Sequence, residues 1–179
     1  MEFDLSQSIA LLVRTPAALN TLLSGLPDAW TTHNEGEGTW TVTEVIAHLI
    51  ECEHTNWMPR AKSILRSTEP QPFASFDREG YKQDNQVRSL PQRLDEFARI
   101  RATSLDELRA LNLQPTDFNR RGVHSVFGPV TLSQLLSTWT VHDMTHLHQI
   151  SRILAHQYRE AVGPWSQYLG VLHCNGHSA

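Results

Sequence analysis

The sequence predicts an all-α protein of the four-helix-bundle class, and three observations predict it. Four segments repeat apolar residues at three- and four-residue steps, the period that lines one face of a helix. Almost no stretch alternates apolar and polar residues as a half-buried strand does. Three of the segments open on a capping signature: Thr41 with Glu44, Ser89 with Gln92, and Thr131 with Gln134. A hydroxyl three residues ahead of a Glu or Gln can satisfy the unpaired amides of a first helical turn. A chain of 179 residues can bury a sizeable core, and no repeat or composition shift marks a boundary, so residues 1–179 read as one domain.

In chain order, residues 4–23 form the first helix, with Leu5, Ile9, Leu12 and Val13 apolar. Thr15-Pro16 interrupts it, because proline lacks an amide and suits a first helical turn; a kink or restart is expected there. Gly25 and Pro27 end it. Residues 28–38, with His33, Glu35 and Glu37, read as a solvated connection, though one reaching over the bundle could place a side chain in a pocket. The second helix opens with Trp40 and Val45 set as a hydrophobic staple around its cap, and Val45, His48, Leu49 and Cys52 define its inward face.

Residues 67–88 exceed the about 2–8 residues that join antiparallel helices, so the third helix can run parallel to the second. Phe73 and Phe76 suggest that this connection is packed. The third helix, residues 89–113, is apolar along Leu94, Phe97, Ile100, Ala102, Leu105 and Leu108; Arg101 within it is either a surface residue or a pocket cation. Residues 112–130 form a second long connection whose Gly128-Pro129 step suits a short hairpin. The fourth helix, residues 131–157, carries one stripe of Leu132, Leu135, Leu136, Trp139, Ile150, Ile153 and Leu154. Past Gly163-Pro164, Trp165, Tyr168 and Leu169 are expected to cover an end of the bundle.

Composition narrows the function classes. A net charge of −4 with fifteen scattered basic residues disfavours nucleic-acid binding. No apolar run approaches the ~20 residues that cross a bilayer, and the first ten residues are not a signal peptide, so a soluble cytoplasmic protein is expected. Cys52 and Cys174 lie far apart with no C-x-x-C, which suggests neither a disulfide framework nor a thiolate zinc site.

The histidines are more informative. His142 and His146 fall on the fourth helix's apolar stripe, four residues apart, so their Cβ atoms stand about 5–6 Å from each other and both rings can address one point. Imidazoles in a core need partners for their nitrogens, and a metal ion would serve. His48 lies on the apolar side of the second helix and can be level with the pair if the two helices are antiparallel; a parallel arrangement would leave His146 about 12 Å further along. The competing reading is three separate core histidines bonded to backbone or water. His148, about 200° around from His146, reads as surface or interface, as does His54 relative to His48. His124, His156, His173 and His177 have no comparable partners. Gln149 returns to the inner stripe and can hydrogen-bond near the site. Glu44 and Glu51 are either exposed charges or a carboxylate that fixes an imidazole tautomer. Cys52 reads as a small buried apolar residue.

The combination WTVTEVIAHLIECE then HDMTHLHQI resembles the DinB-like four-helix bundles, including metal-dependent hydrolase and thiol-transferase branches. The Thr15-Pro16 break, the FASFDREGY loop and the YREAVGPW tail extend the resemblance over nearly the whole chain. It implies an up-down-down-up bundle with long connections, a divalent metal held by His48, His142 and His146, and homodimers through bundle faces. A neutral three-histidine set leaves an ion its full charge and at least one open position, the pattern of a reactive site. Zn²⁺, Ni²⁺, Mn²⁺ and Fe²⁺ all suit imidazole.

Two chemistries follow. The ion can lower the pKa of water toward ~7 for attack on an acyl electrophile, or it can take a low-molecular-weight thiol and make it nucleophilic at neutral pH. No G-x-S-x-G motif supports covalent hydrolysis, and no catalytic residue beyond the ligands is singled out. The alternatives are a non-catalytic metal-binding or stress-associated bundle and a plain helical interaction module.

Overall fold

The computed structural model of the chain describes residues 2–77, 80 and 88–174. Helix α1 (Leu5–Leu12) starts at Asp4, whose carboxylate accepts the Gln7 amide, and α2 (Thr15–Leu23) restarts the chain with Pro16 in its first turn. Gly25, at φ +79°, turns the chain away.

The stretch expected as a solvated loop is instead partly helical and partly buried. Its first residues form a short helix, α3 (Asp28–Thr32), with Thr31 buried. The Thr43 hydroxyl donates to the Thr31 carbonyl at 3.2 Å, tying α3 to the start of the next helix. Further on, Glu35 is pinned to Arg152 by two bonds of 2.6 and 3.1 Å, with side-chain exposures of 15% and 5%. The connection reaches over the bundle because its charge has a buried partner.

Helix α4 (Val42–Thr55) opens on the expected capping box, with Thr41 and Glu44 each bonding the other's backbone amide. It stops at Asn56, and α5 (Trp57–Arg66) follows at once. The apolar period does not announce this break; Pro59 causes it. Proline has no amide, and its ring crowds the carbonyl four residues back, here that of Thr55. In α5 the proline sits in the first turn, where neither defect matters.

Helix α6 (Leu90–Ala110) begins at the Ser89–Gln92 capping box. Strands β1 (Arg121–His124) and β2 (Gly128–Thr131) make the expected hairpin, pairing Arg121 with Thr131 and His124 with Gly128. Helix α7 (Leu132–His156) leaves the hairpin through the Thr131–Gln134 capping box.

The connection before α6 docks on this hairpin: Phe73 donates its amide to the Val123 carbonyl and Val123 donates to that of Gln71, both at 2.9 Å. Phe73 is thereby buried over Gly122. Part of the FASFDREGY stretch lies outside the described residues. A Cβ on Gly122 would overlap Phe73 Cε1 and Cζ and stand 3.1 Å from Ile64 Cγ1. Gly122→Ala is therefore expected to cost about 1–3 kcal/mol by overpacking, read as a lowered urea midpoint with helical circular dichroism retained. A shift below about 0.5 kcal/mol would show that Phe73 moves aside freely.

Two apolar clusters form the core. One gathers Leu12, Trp57, Met58, Leu105, Leu108, Leu136 and Trp139. The other gathers Leu19, Leu23, Val45, Leu49, Leu94, Phe97, Ile150 and Ile153. Helices α4, α6 and α7 also bury polar side chains: His48, Glu53, Arg101, Asp143 and His146.

The tail departs from expectation. Residues Gly170–Leu172 lie against α7, but Trp165 and Tyr168 are 69% and 75% exposed and Leu169 is 38% exposed. Residues Gly163–Tyr168 form a 3-10 helix, where side chains three apart eclipse; Trp165 and Tyr168 therefore pair with each other, ring centroids 6.5 Å apart, instead of covering the bundle end. Among the described residues, no helix is long and apolar enough to cross a membrane.

Candidate metal centre

Helix α4 carries His48 and, one turn later, Cys52; α7 carries His142 and His146. The His142 Nε2 atom stands 3.3 Å from His48 Nε2 and 3.1 Å from His146 Nε2. His48 and His146 are buried and His142 is half-buried. The three rings form a group able to hold a metal ion, with one nitrogen of each within 4.8 Å of the others. Aromatic rings wall the cluster: Trp40 packs at 4.8 Å and Phe76 at 6.0 Å from the His48 ring, and Trp57 stands edge-on at 5.0 Å from His142.

The donor chemistry fits a cation. Burial, then the neighbouring charges of His146, His48 and Arg101, push the His142 pKa down to about 2, and burial also lowers that of His146. Each of these two rings is neutral at pH 7 and has one N–H and one lone pair. The Oε1 atom of Gln149 lies 2.8 Å from His146 Nδ1 and accepts its proton, which leaves the His146 Nε2 lone pair facing the cluster. His142 Nε2 then meets two other ring nitrogens, and a single N–H can bridge to only one of them. A divalent ion satisfies all three lone pairs together. Among the described residues, His142 Nδ1 has no hydrogen-bond partner.

The low pKa of His142 makes a prediction for the metal-free protein. Between about 2 and the ordinary 6.5 the unfolded ring binds a proton that the folded ring refuses. Unfolding then takes up a proton, so stability rises with pH through this window and levels off above it. The unfolding free energy measured in urea should fall as pH drops below 6.5, by up to about 1.4 kcal/mol per pH unit for this ring, and less steeply in His142→Gln. Identical slopes in the two proteins would show that His142 is not held neutral.

Gln149 meets the expectation of a hydrogen bond near the histidines. His54 and His148 are exposed, as expected. His33, which caps the end of α3, is also exposed, its ring turned back to the Ala29 carbonyl of that helix. Glu44 spends its carboxylate on the Thr41 backbone and hydroxyl, and Glu51 is partly buried, lining a surface cavity with Arg88, Arg93 and Glu96. Cys52 is buried, and its Sγ reaches the histidine cluster, 3.4 Å from His48 Nε2 and 4.0 Å from His142 Nε2. Burial, reinforced by Glu53, Glu51 and Asp143, pushes its thiol pKa well above the ordinary range.

Arg101 is neither a surface residue nor part of the histidine cluster. It is 1% exposed and holds a buried charge network beside it. Its Nη1 and Nη2 grip the Asp143 carboxylate at 2.6 and 3.0 Å, and its Nε and Nη2 reach Glu53 Oε1 at 3.0 and 2.8 Å. The Leu12 carbonyl accepts from Nη1 at 3.1 Å, and Trp139 Nε1 donates to Glu53 Oε1 at 3.0 Å. Glu53 and Asp143 were not anticipated from sequence. They follow Cys52 and His142 in the chain, so the same turns of α4 and α7 serve both groups.

Comparison with known proteins agrees with this architecture. The sequence model of the DinB superfamily matches residues 11–150, which include all three histidines. Among solved structures the chain is similar to YfiT from Bacillus subtilis, described as a probable metal-dependent hydrolase with an unusual four-helix bundle topology. The two share 22% identity over 85% of this chain and 86% of that one, with a TM-score of 0.72. At that identity the likeness establishes a common bundle fold. Comparison with curated proteins finds no match. With most of its length matched by the family model, the chain belongs to the DinB superfamily.

Proposed function

We propose that this chain is a divalent-metal-dependent enzyme of the hydrolase type, with His48, His142 and His146 as the metal ligands. The observation that carries this reading is the convergence of three imidazole nitrogens, two of them 3.1 and 3.3 Å from the third, in a buried part of the bundle. The description of YfiT as a probable metal-dependent hydrolase supports the same class.

A bound ion would supply a Lewis acid that activates water, or a thiol, at neutral pH. The chain's own residues do the rest. Gln149 fixes the His146 tautomer, Trp40 and Phe76 keep bulk water from His48, and half-buried His142 marks the side from which a small substrate would approach.

Helix pairings support an up-down-down-up path. From α4 to α7, His48 lies beside His146 while Glu53 meets Trp139, the sense of antiparallel neighbours. From α4 and α5 to α6, Glu53 meets Arg101 and Lys62 meets Glu107, the parallel sense. We propose, too, a single domain over residues 1–179, a cytoplasmic location and a homodimer through a bundle face, where Val141 and Met144 on α7 are 62% and 39% exposed.

The thiol-dependent transferase reading and the hydrolase reading share this site. A non-catalytic metal-binding role is favoured by one observation, the 5% and 1% exposure of His48 and His146. The experiment loads metal-free protein separately with Zn²⁺, Ni²⁺, Mn²⁺ and Fe²⁺. It then measures turnover of ester, amide and alkyl electrophiles with and without a low-molecular-weight thiol. Metal-dependent turnover without thiol supports the hydrolase, strict thiol dependence supports the transferase, and tight binding with no turnover sinks both in favour of the non-catalytic role.

A further inference from the structure

We propose that Arg60 binds a carboxylate on the substrate, so that the site takes a small acid whose reacting group reaches the ion. This rests on the metal-dependent reading above and names a substrate class for it. Arg60 is half-buried on α5, one turn beyond Trp57, whose ring stands 5.0 Å from that of His142. Burial pulls the Arg60 pKa below the ordinary arginine value and Cys52 acts against that shift, so the two groups lie within electrostatic reach. The Cys52 sulfur is itself 3.4 Å from His48 Nε2. The guanidinium therefore lies on the side of the histidine cluster that α5 covers.

What distinguishes Arg60 is its charge balance. Arg88, Arg101, Arg120 and Arg152 each pair with a carboxylate. Arg60 has no such partner among the described residues, and the nearby carboxylates of Glu53 and Asp143 are spent on Arg101. It rests instead on the Phe73 ring, with its Cζ 5.0 Å from the ring centroid. Phe73 is a fixed platform, because its backbone pairs with Val123 of the hairpin.

Stacking occupies a flat face of the guanidinium and leaves its in-plane N–H fork, the edge that grips a carboxylate through two parallel bonds. Placing a cation partly out of water without a counter-charge is costly. Loading the site deepens the imbalance, since neutral imidazoles leave a divalent ion its full charge. A substrate that brings one negative charge to Arg60 relieves it, and the same contact turns the reacting end toward the ion.

The test uses two metal-binding probes that differ by one carboxylate, acetohydroxamate and succinate monohydroxamate, titrated by calorimetry into zinc-loaded protein. The wild type should bind the carboxylate-bearing probe about tenfold more tightly, the worth of a charge-assisted hydrogen bond. Arg60→Gln should lose that preference and bind acetohydroxamate as the wild type does. Arg66→Gln makes the same change of charge at an exposed position of α5 and should keep the preference. Equal affinities in the wild type, failure of both probes to bind, a preference that survives in Arg60→Gln, or an equal loss in Arg66→Gln would each overturn the Arg60 assignment and leave the metal site standing. If the wild type takes up no zinc, the metal reading fails and the Arg60 assignment with it.

Discussion

Arg101→Met is expected to destabilise the protein by about 3–5 kcal/mol, the cost of stripping a buried ion group of one partner. The Arg101 guanidinium makes five hydrogen bonds to Glu53, Asp143 and the Leu12 carbonyl, and Glu53 and Asp143 are 4% and 1% exposed. Without the guanidinium, two buried carboxylates remain in the core, Glu53 keeping the Trp139 N–H as a donor. A domain of this size has about 5–15 kcal/mol in total, so the variant should sit close to unfolding. Arg101→Lys keeps the charge but not the planar fork that grips both carboxylates, and it should recover only part of the loss. Replacing all three residues together with apolar residues of matching volume should cost far less than Arg101→Met alone, because no unpaired charge remains. Urea unfolding at pH 7 measures each variant. A loss below about 1 kcal/mol in Arg101→Met would mean that water reaches the carboxylates and that the network is not a closed one.

The second large effect is the loss of metal-linked stability in His142→Ala. His142 Nε2 is the central atom of the cluster, within 3.3 Å of both other rings. An ion that binds only the folded chain stabilises it by about 4 kcal/mol at a thousandfold excess over its dissociation constant. Zinc should therefore raise the thermal midpoint of the wild type by several degrees and leave that of His142→Ala nearly unmoved. His148→Ala alters an exposed residue two positions beyond His146 and should respond to zinc like the wild type. An equal response in His142→Ala would remove that residue from the ligand set, whereas a lost response in His148→Ala would mean that the ion binds another face of α7.

What was legible in the sequence was mostly local. The caps at Thr41, Ser89 and Thr131 depend on neighbours three residues away, and all three form as expected. The facing of His142 and His146 follows from helical period alone, and His48 joins them because α4 packs against α7 in the sense that levels the rings. The charge network was partly legible as well. Arg101 lies seven residues from both Leu94 and Leu108, and Asp143 seven from both Leu136 and Ile150, so each interrupts an apolar stripe at a core position. That Glu53 meets both depends on the mutual rotation of three helices, which no single segment encodes. The break at Asn56 was hidden because Pro59 suits the start of one helix as well as it stops another. The fate of Trp165 and Tyr168 turned on a 3-10 helix, whose three-residue spacing pairs them with each other.

The assignment of His48, His142 and His146 as metal ligands stands or falls on metal content. The most direct test is elemental mass spectrometry on protein purified without an affinity tag, wild type beside His48→Ala. About one divalent ion per wild-type chain is expected, and its loss in the variant. A wild type that carries no metal and takes up none on reconstitution, or a His48→Ala variant that keeps its full complement, would contradict it.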